Sequence, residues 1–264
     1  MISRSLRQFS TKTSSLKTAV VLSGWGVFDG AEITESIAII VALSRENCTI
    51  EWYAPDMDQM HVLDHTKGEE LDQTRNVMVE SARIARGNVK PLSDLNATEY
   101  DAIFFPGGFG AAKNLSDFGV KGADMSVIPE VEKVLMEAKG NNVNIGMCCI
   151  APVIAARVFG TKFGGSGCKM TLGKVGPDFP YSDSIGVASS FGNDLESNDV
   201  DEYTVDKLEG DSMVRHFQIK QLYYSYLQHQ LTWKKLHLMK YLMVLERWLV
   251  HVLNHVEKSN IFLN

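Results

Sequence analysis

Residues 142–160, NVNIGMCCIAPVIAARVFG, read as an apolar strand (142–148) that meets two adjacent cysteines and turns into a helix (150–160). The Pro in Ile-Ala-Pro suits a first helical turn, where its missing N–H costs nothing. A chain that turns sharply from strand into helix holds one side chain at the crest, pointing out of the sheet. A thiol at that crest faces the positive end of the helix dipole and free backbone N–H groups, and both favour the thiolate. Only one residue fits the crest. Cys149, directly before the helix, suits it better, with Cys148 as its buried partner. The competing reading makes both cysteines small apolar core residues, since free Cys is among the most buried residue types.

Working outward, the same alternation recurs. KTAVVLSGWG (17–26) reads as a buried strand entering a glycine turn, and AEITESIAIIVALSREN (31–47) has helical spacing. CTIEWYAP (48–55) is a second strand, and an amphipathic helix is expected around 72–86. YDAIFFPGGFG (100–110) is a third strand with a Gly-rich exit, and IPEVEKVLMEAKG (128–140) is helical. Strands alternating with helices predict parallel βαβ units in an open, doubly wound α/β sheet. Ligands in that architecture sit beyond the carboxyl ends of the strands. The loop 23–35, the turn 106–110 and the Cys pair all fall there.

The 264 residues suffice for one substantial core, and 45% hydrophobic with 22% charged residues is ordinary for a globular chain. A net charge of −6 gives nucleic acid no support as a partner. No apolar run approaches the roughly 20 residues of a membrane span. Four cysteines, Cys48, Cys148, Cys149 and Cys168, make no disulfide scaffold in a chain of this length. Residues 1–17, MISRSLRQFSTKTSSLK, are basic, hydroxyl-rich and free of acids, as a mitochondrial transit peptide is. Its removal would take the net charge from −6 to −10. The expected location is the mitochondrial matrix.

Several groups near the strand exits can carry chemistry. Gly107 and Gly108 in PGGFG can aim backbone amides at an oxyanion, or simply make a tight turn. Asp29, Glu32 and Glu35 can complement a helix amino terminus, or a carboxylate among them can move a proton beside a thiolate. His61 and His65 are four apart, yet no third ligand has matching spacing, so no metal is expected. Neither a Walker A nor a GxGxxG pattern occurs, and no cofactor is expected.

GVFDGAEITES (26–36), MHVLDHTKGE (60–69), TRNVMVESARIARG (74–87), FPGGFGAAKNLSDF (105–118) and GMCCIAPV (146–153) closely resemble the ElbB-type, mitochondrial glutamine amidotransferase-like proteins. That family lies in the PfpI-like superfamily, which includes the Parkinsonism-associated deglycase. The likeness is dense from about Ala19 to Lys207 and implies a flavodoxin-like sandwich. Carried over by position, the elbow nucleophile falls on Cys149 and its acid partner on Glu35, with Glu32 as second choice. The oxyanion amides fall on Gly107 and Gly108, with Ile150 as a third, and His65 is an assisting residue. Members with glutaminase or protease activity carry a His near the elbow, where this chain has Ile150, so neither activity is expected. A Cys-Glu pair without His implies glyoxalase or deglycase chemistry on a small carbonyl substrate or a glycated adduct. The alternative is a non-catalytic, small-molecule-binding or redox-sensing member. Superfamily members often dimerise, so a homodimer is implied as well.

Within this scheme residues 18–210 form the amidotransferase-like domain, and 211–264 depart from it. From Ser212 onward there is no Gly or Pro, while five of the seven histidines and only two acids occur there. The family's ending, roughly TTPAYM…APxHExFDGIGxMV, is missing. Yet SYLQHQLTWKKLHLMKYLMVLERW (225–248), back-translated with permitted codons and read from each third nucleotide, yields VSTTPAYMEEAPSHEVFDGLGKMV. The tail is therefore expected to be a frameshifted version of that ending, leaving one sheet edge bare and poorly packed. The competing reading is a genuine basic amphipathic helix. Sequencing the transcript across codons 205–225 should reveal the shifted frame. An intact frame, with peptides from 225–248 detected in the protein, would remove the idea.

Overall fold

A computed structural model describes residues 15–176, 182–199, 202–207 and 214–217, together with Leu249, Val250 and Leu253. Most of the leader 1–17 and most of the tail 211–264 lie outside the described residues. The main elements follow the alternation read from the sequence: β1 (Lys17–Val21), α1 (Ile33–Arg45), β2 (Thr49–Ala54), α2 (Val77–Ala85), β3 (Lys90–Pro91), β4 (Ala102–Phe105), α3 (Phe109–Lys113), α4 (Pro129–Gly140), β5 (Asn144–Met147), α5 (Pro152–Phe159), β6 (Thr204–Lys207) and β7 (Val214–Phe217). Seven strands make one sheet in the order β6-β7-β5-β4-β1-β2-β3, parallel except where β6 runs antiparallel to β7. This is the flavodoxin-like α/β arrangement.

Successive strand residues point to opposite faces, and the core divides accordingly. Ala19, Val21, Ile103, Phe105, Ile145 and Met147 join α4 and α5 in one cluster. Val20, Leu22, Trp52, Ala102 and Phe104 join α1 and α2 in the other. Cys148 follows Met147 and so falls on the α1 face, whereas Cys149 packs against the opposite cluster. The two cysteines thus join different clusters.

Helix starts differ from the sequence reading by a few residues, for local reasons. The helix expected from 72 begins at Val77, because Asn76 caps it by accepting the Val79 N–H at 3.0 Å. The helix expected from 150 begins at Pro152, because Cys149 has φ 57° and the chain is still turning. The edge expected to be bare is covered: β7 pairs in parallel with β5, matching His216 to Gly146 and Phe217 to Met147. Leu249 and Leu253 of the tail are buried in the cluster beneath α1 and α2, so the poor packing expected there does not hold at these two residues.

Near the β2 edge, the Glu51 carboxylate accepts from Lys90 Nζ at 2.7 Å and from the Tyr100 hydroxyl at 2.6 Å. Lys90 first, then Tyr100, hold this carboxyl down at about 2, against an ordinary 4.5. The folded group ionises below the unfolded one. Its contribution is therefore complete above pH 4.5 and is lost as pH falls towards 2. Glu51→Gln is expected to destabilise the fold at neutral pH by about 1–2 kcal/mol, after discounting for partial exposure. It should also flatten the fall in urea-unfolding free energy over that acid window. An undiminished acid slope in the variant would show that this network does not produce it.

Candidate active site

Three strand exits converge at the carboxyl end of the sheet. After β1 the chain loops through residues 22–32, after β4 it runs through Pro106–Gly107–Gly108, and after β5 it turns at Cys148 and Cys149. Hydrogen bonds tie these loops together. The Glu32 N–H donates to Gly107 O at 2.9 Å, the Phe109 N–H to Val27 O at 2.7 Å, and the Gly110 N–H to Gly30 O at 2.8 Å. Asn114, buried, ties together two segments, the 22–32 loop and the chain at Met60: its Nδ2 donates to Ser23 O and Asp29 O, and its Oδ1 accepts from the Met60 N–H. Gly24 is fixed by donating its N–H to Ser81 Oγ at 2.9 Å.

Glu35 lies in the first turn of α1 and is fully buried. Its Oε2 accepts the Gly107 N–H at 2.9 Å and the Cys148 thiol at 3.5 Å. A methyl group at Gly107 would lie 2.6 Å from that oxygen and 2.9 Å from Cys149 Sγ, and closer still to Cys149 Cβ. Carboxylate and elbow sulfur therefore flank one point in space, which only a glycine leaves open. Glu32 does different work. It caps α1, its Oε2 accepting the Glu35 N–H at 2.7 Å and the Thr34 hydroxyl.

Cys149 is a non-glycine residue in the left-handed region, at φ 57°, and the residue as a whole is half-buried. Burial, and then the Glu35 carboxylate, push its thiol well above the ordinary range, while the N–H groups of Gly108 and Ile150 pull the other way. Cys148 is fully buried and is raised likewise by burial and then by Glu35. Glu35 and Cys149 are thus coupled, and ionising both is disfavoured. The helix-dipole argument alone points to a standing thiolate; burial, and then the adjacent carboxylate, reverse that direction. The glycine amides divide their work, Gly107 serving Glu35 and Gly108 addressing the sulfur.

His65 stands at the outer loop. Its Nε2 accepts the Phe28 N–H at 3.3 Å, and its Nδ1 lies 3.1 Å from Leu63 O. Asp29 Oδ1 is 3.7 Å from Nε2, and no hydrogen bond or ion pair joins His65 to Cys149. Lys113, at the end of α3, donates to Phe28 O at 3.2 Å. Sequence reasoning passed over Lys113 and Asn114, although both lie inside the quoted segment 105–118. Among the described residues no group of three His, Cys, Asp or Glu side chains is placed to hold a metal, and no helix is long and apolar enough to cross a membrane.

No family model matches the chain. It is 49% identical over 180 residues to the rat (Rattus norvegicus) ES1 protein homolog, mitochondrial, a match spanning 67% of this chain and 65% of that protein. It is 46% identical over 193 residues to the human (Homo sapiens) glutamine amidotransferase-like class 1 domain-containing protein 3, mitochondrial, spanning 72% of this chain and 70% of that one. The chain thus spans about two thirds of the length of these relatives. Among solved structures, an isoprenoid biosynthesis protein with amidotransferase-like domain from Ehrlichia chaffeensis superposes with TM-score 0.74 at 27% identity, over 91% of this chain and 99% of that one. The relatives are named as mitochondrial proteins, in keeping with the location expected from residues 1–17. With that fold, that site and those relatives, the chain belongs to the ElbB-type, mitochondrial glutamine amidotransferase-like class 1 domain family, the ES1 proteins.

Proposed function

We propose that this chain is a Cys-dependent enzyme of the glyoxalase or deglycase kind, acting on small α-oxoaldehydes or early glycation adducts. The observation that carries the reading is the pairing of Cys149, held at φ 57° on the crest, with the buried Glu35 carboxyl across Gly107. With methylglyoxal, the Cys149 sulfur forms a bond to the aldehyde carbon, and the carbonyl electron pair moves onto oxygen, which takes up the thiol proton. The N–H groups of Gly108 and Ile150 are placed to stabilise negative charge beside that sulfur. Glu35 then takes the proton from the former aldehyde carbon and returns it to the adjacent ketone carbon, while the hydroxyl proton passes to the ketone oxygen, leaving a thioester of lactate. Water adds to the thioester, the C–S bond breaks, and the thiol is restored. The net change is methylglyoxal plus water to lactate.

The upward push on the Cys149 thiol, from burial first and then from Glu35, favours a second reading, a binding or redox-sensing protein without turnover. Lactate formation from methylglyoxal separates the two. Wild type should turn over, Cys149→Ser should not, and Glu35→Gln should fall by about 10²–10⁴-fold. Cys148→Ser should retain most of the activity. Turnover surviving in Cys149→Ser would overturn the assignment, and inactivity of the wild type would favour the second reading.

A further inference from the structure

We infer that Cys148 is the positioning residue of Glu35: its buried thiol donates to the carboxylate oxygen that borders the gap beside Cys149, which fixes that oxygen and favours the ionised form. The hydrogen-bonded pair stands on its own; its part in proton transfer rests on the enzymatic reading.

Cys148 is fully buried and shares its cluster with Val20, Leu22, Ile39, Leu43 and Phe104, all apolar. From there its Sγ reaches Glu35 Oε2 at 3.5 Å. The same Oε2 accepts the Gly107 N–H at 2.9 Å, and that amide also addresses the Cys148 sulfur. An amide from the β4 exit, a thiol from the β5 exit and a carboxylate from α1 therefore form one group. The oxygen they hold is the one that looks into the gap, since a methyl group at Gly107 would lie 2.6 Å from Oε2 and 2.9 Å from Cys149 Sγ. The last torsion of a glutamate is soft, and two donors on one oxygen stop the carboxylate from turning.

The thiol is the donor of the pair. Burial first, then Glu35, push it well above its ordinary range, so the sulfur keeps its hydrogen at neutral pH. A carboxylate withdrawn from water is costly unless donors meet it, and donors to the charged form favour that form. The other titratable groups around it are Cys149, from the β5 exit, and Glu32, at the head of α1. Neither supplies a positive charge, so support for the ionised carboxylate falls to the donors. Serine at 148 keeps a donor, whereas alanine and valine have none.

Carbon-13 NMR of the full chain with labelled glutamate carboxyls tests this without relying on turnover, the Glu35 signal being the one absent from Glu35→Gln. In Cys148→Ala the Glu35 titration should move up by about one pH unit, a tenfold gain in proton affinity, and Cys148→Ser should stay within about twofold of wild type. Thermal unfolding shows which variants fold, and Cys148→Val serves if Cys148→Ala does not. A purely packing role forecasts the opposite, with valine behaving as wild type and serine not. The infrared S–H stretch, read in Cys149→Ser, leaves Cys148 untouched: its hydrogen-bonded band should move to higher frequency when Glu35→Gln is added. An unmoved titration in a folded donorless variant, or an unmoved band, overturns the inference, and does so alone if wild type turns over methylglyoxal. Where turnover occurs, the acid limb of kcat should follow the Glu35 titration, and a limb that stays put removes the role in proton transfer. A moved titration in a protein without turnover upholds the Cys148–Glu35 link and removes the enzyme.

Discussion

A carboxylate shut away from water must be met by donors, and the geometry of this protein's crevice follows from how Glu35 is met. Its oxygen takes the Gly107 N–H and the Cys148 thiol. The first contact requires the β4 exit to lie against the start of α1, and the second requires β5 to end beside both. Gly107 is the hinge of the arrangement. Any side chain there would occupy the space between Glu35 and Cys149.

Charge then dictates what the pair can do. Carboxylate and thiolate side by side are costly, and burial first, then Glu35, push the Cys149 thiol upward. The Gly108 and Ile150 amides work in the opposite direction and aim at the place where negative charge forms on reaction. A positive φ at a non-glycine residue costs about 1 kcal/mol or more, and here the hydrogen-bonded loops hold it in place. The bonds of Asn114 to Ser23, Asp29 and Met60 are part of that restraint.

Much of this was legible in the sequence. The strand and helix order, the parallel sheet and the crest position of Cys149 follow from apolar runs and Gly/Pro punctuation. Parity along β5 carries Cys148 to the α1 face, and the left-handed turn at Cys149 takes the second residue against the other cluster. Side-chain hydrogen bonds across distant segments were not legible. The thiol hydrogen-bonded to Glu35 belongs to Cys148, the Gly107 amide goes to that carboxylate, and Glu32 is occupied as a helix cap. His65 is close in sequence to the quoted motifs, yet its ring is fixed by Phe28 and Leu63. The β7 pairing could not be read from composition, because a strand formed next to a Gly-free, basic stretch carries no period-2 signal of its own.

The central claim is that one sulfur of the doublet faces the crevice while its neighbour is sealed in the core, and limited alkylation of the native protein addresses it most directly. With substoichiometric iodoacetamide, digestion and tandem mass spectrometry of the peptide spanning 146–153, the label should sit on Cys149, with Cys148 labelled only after denaturation. Native labelling of Cys148 at the same pace as Cys149, or ahead of it, would contradict the account.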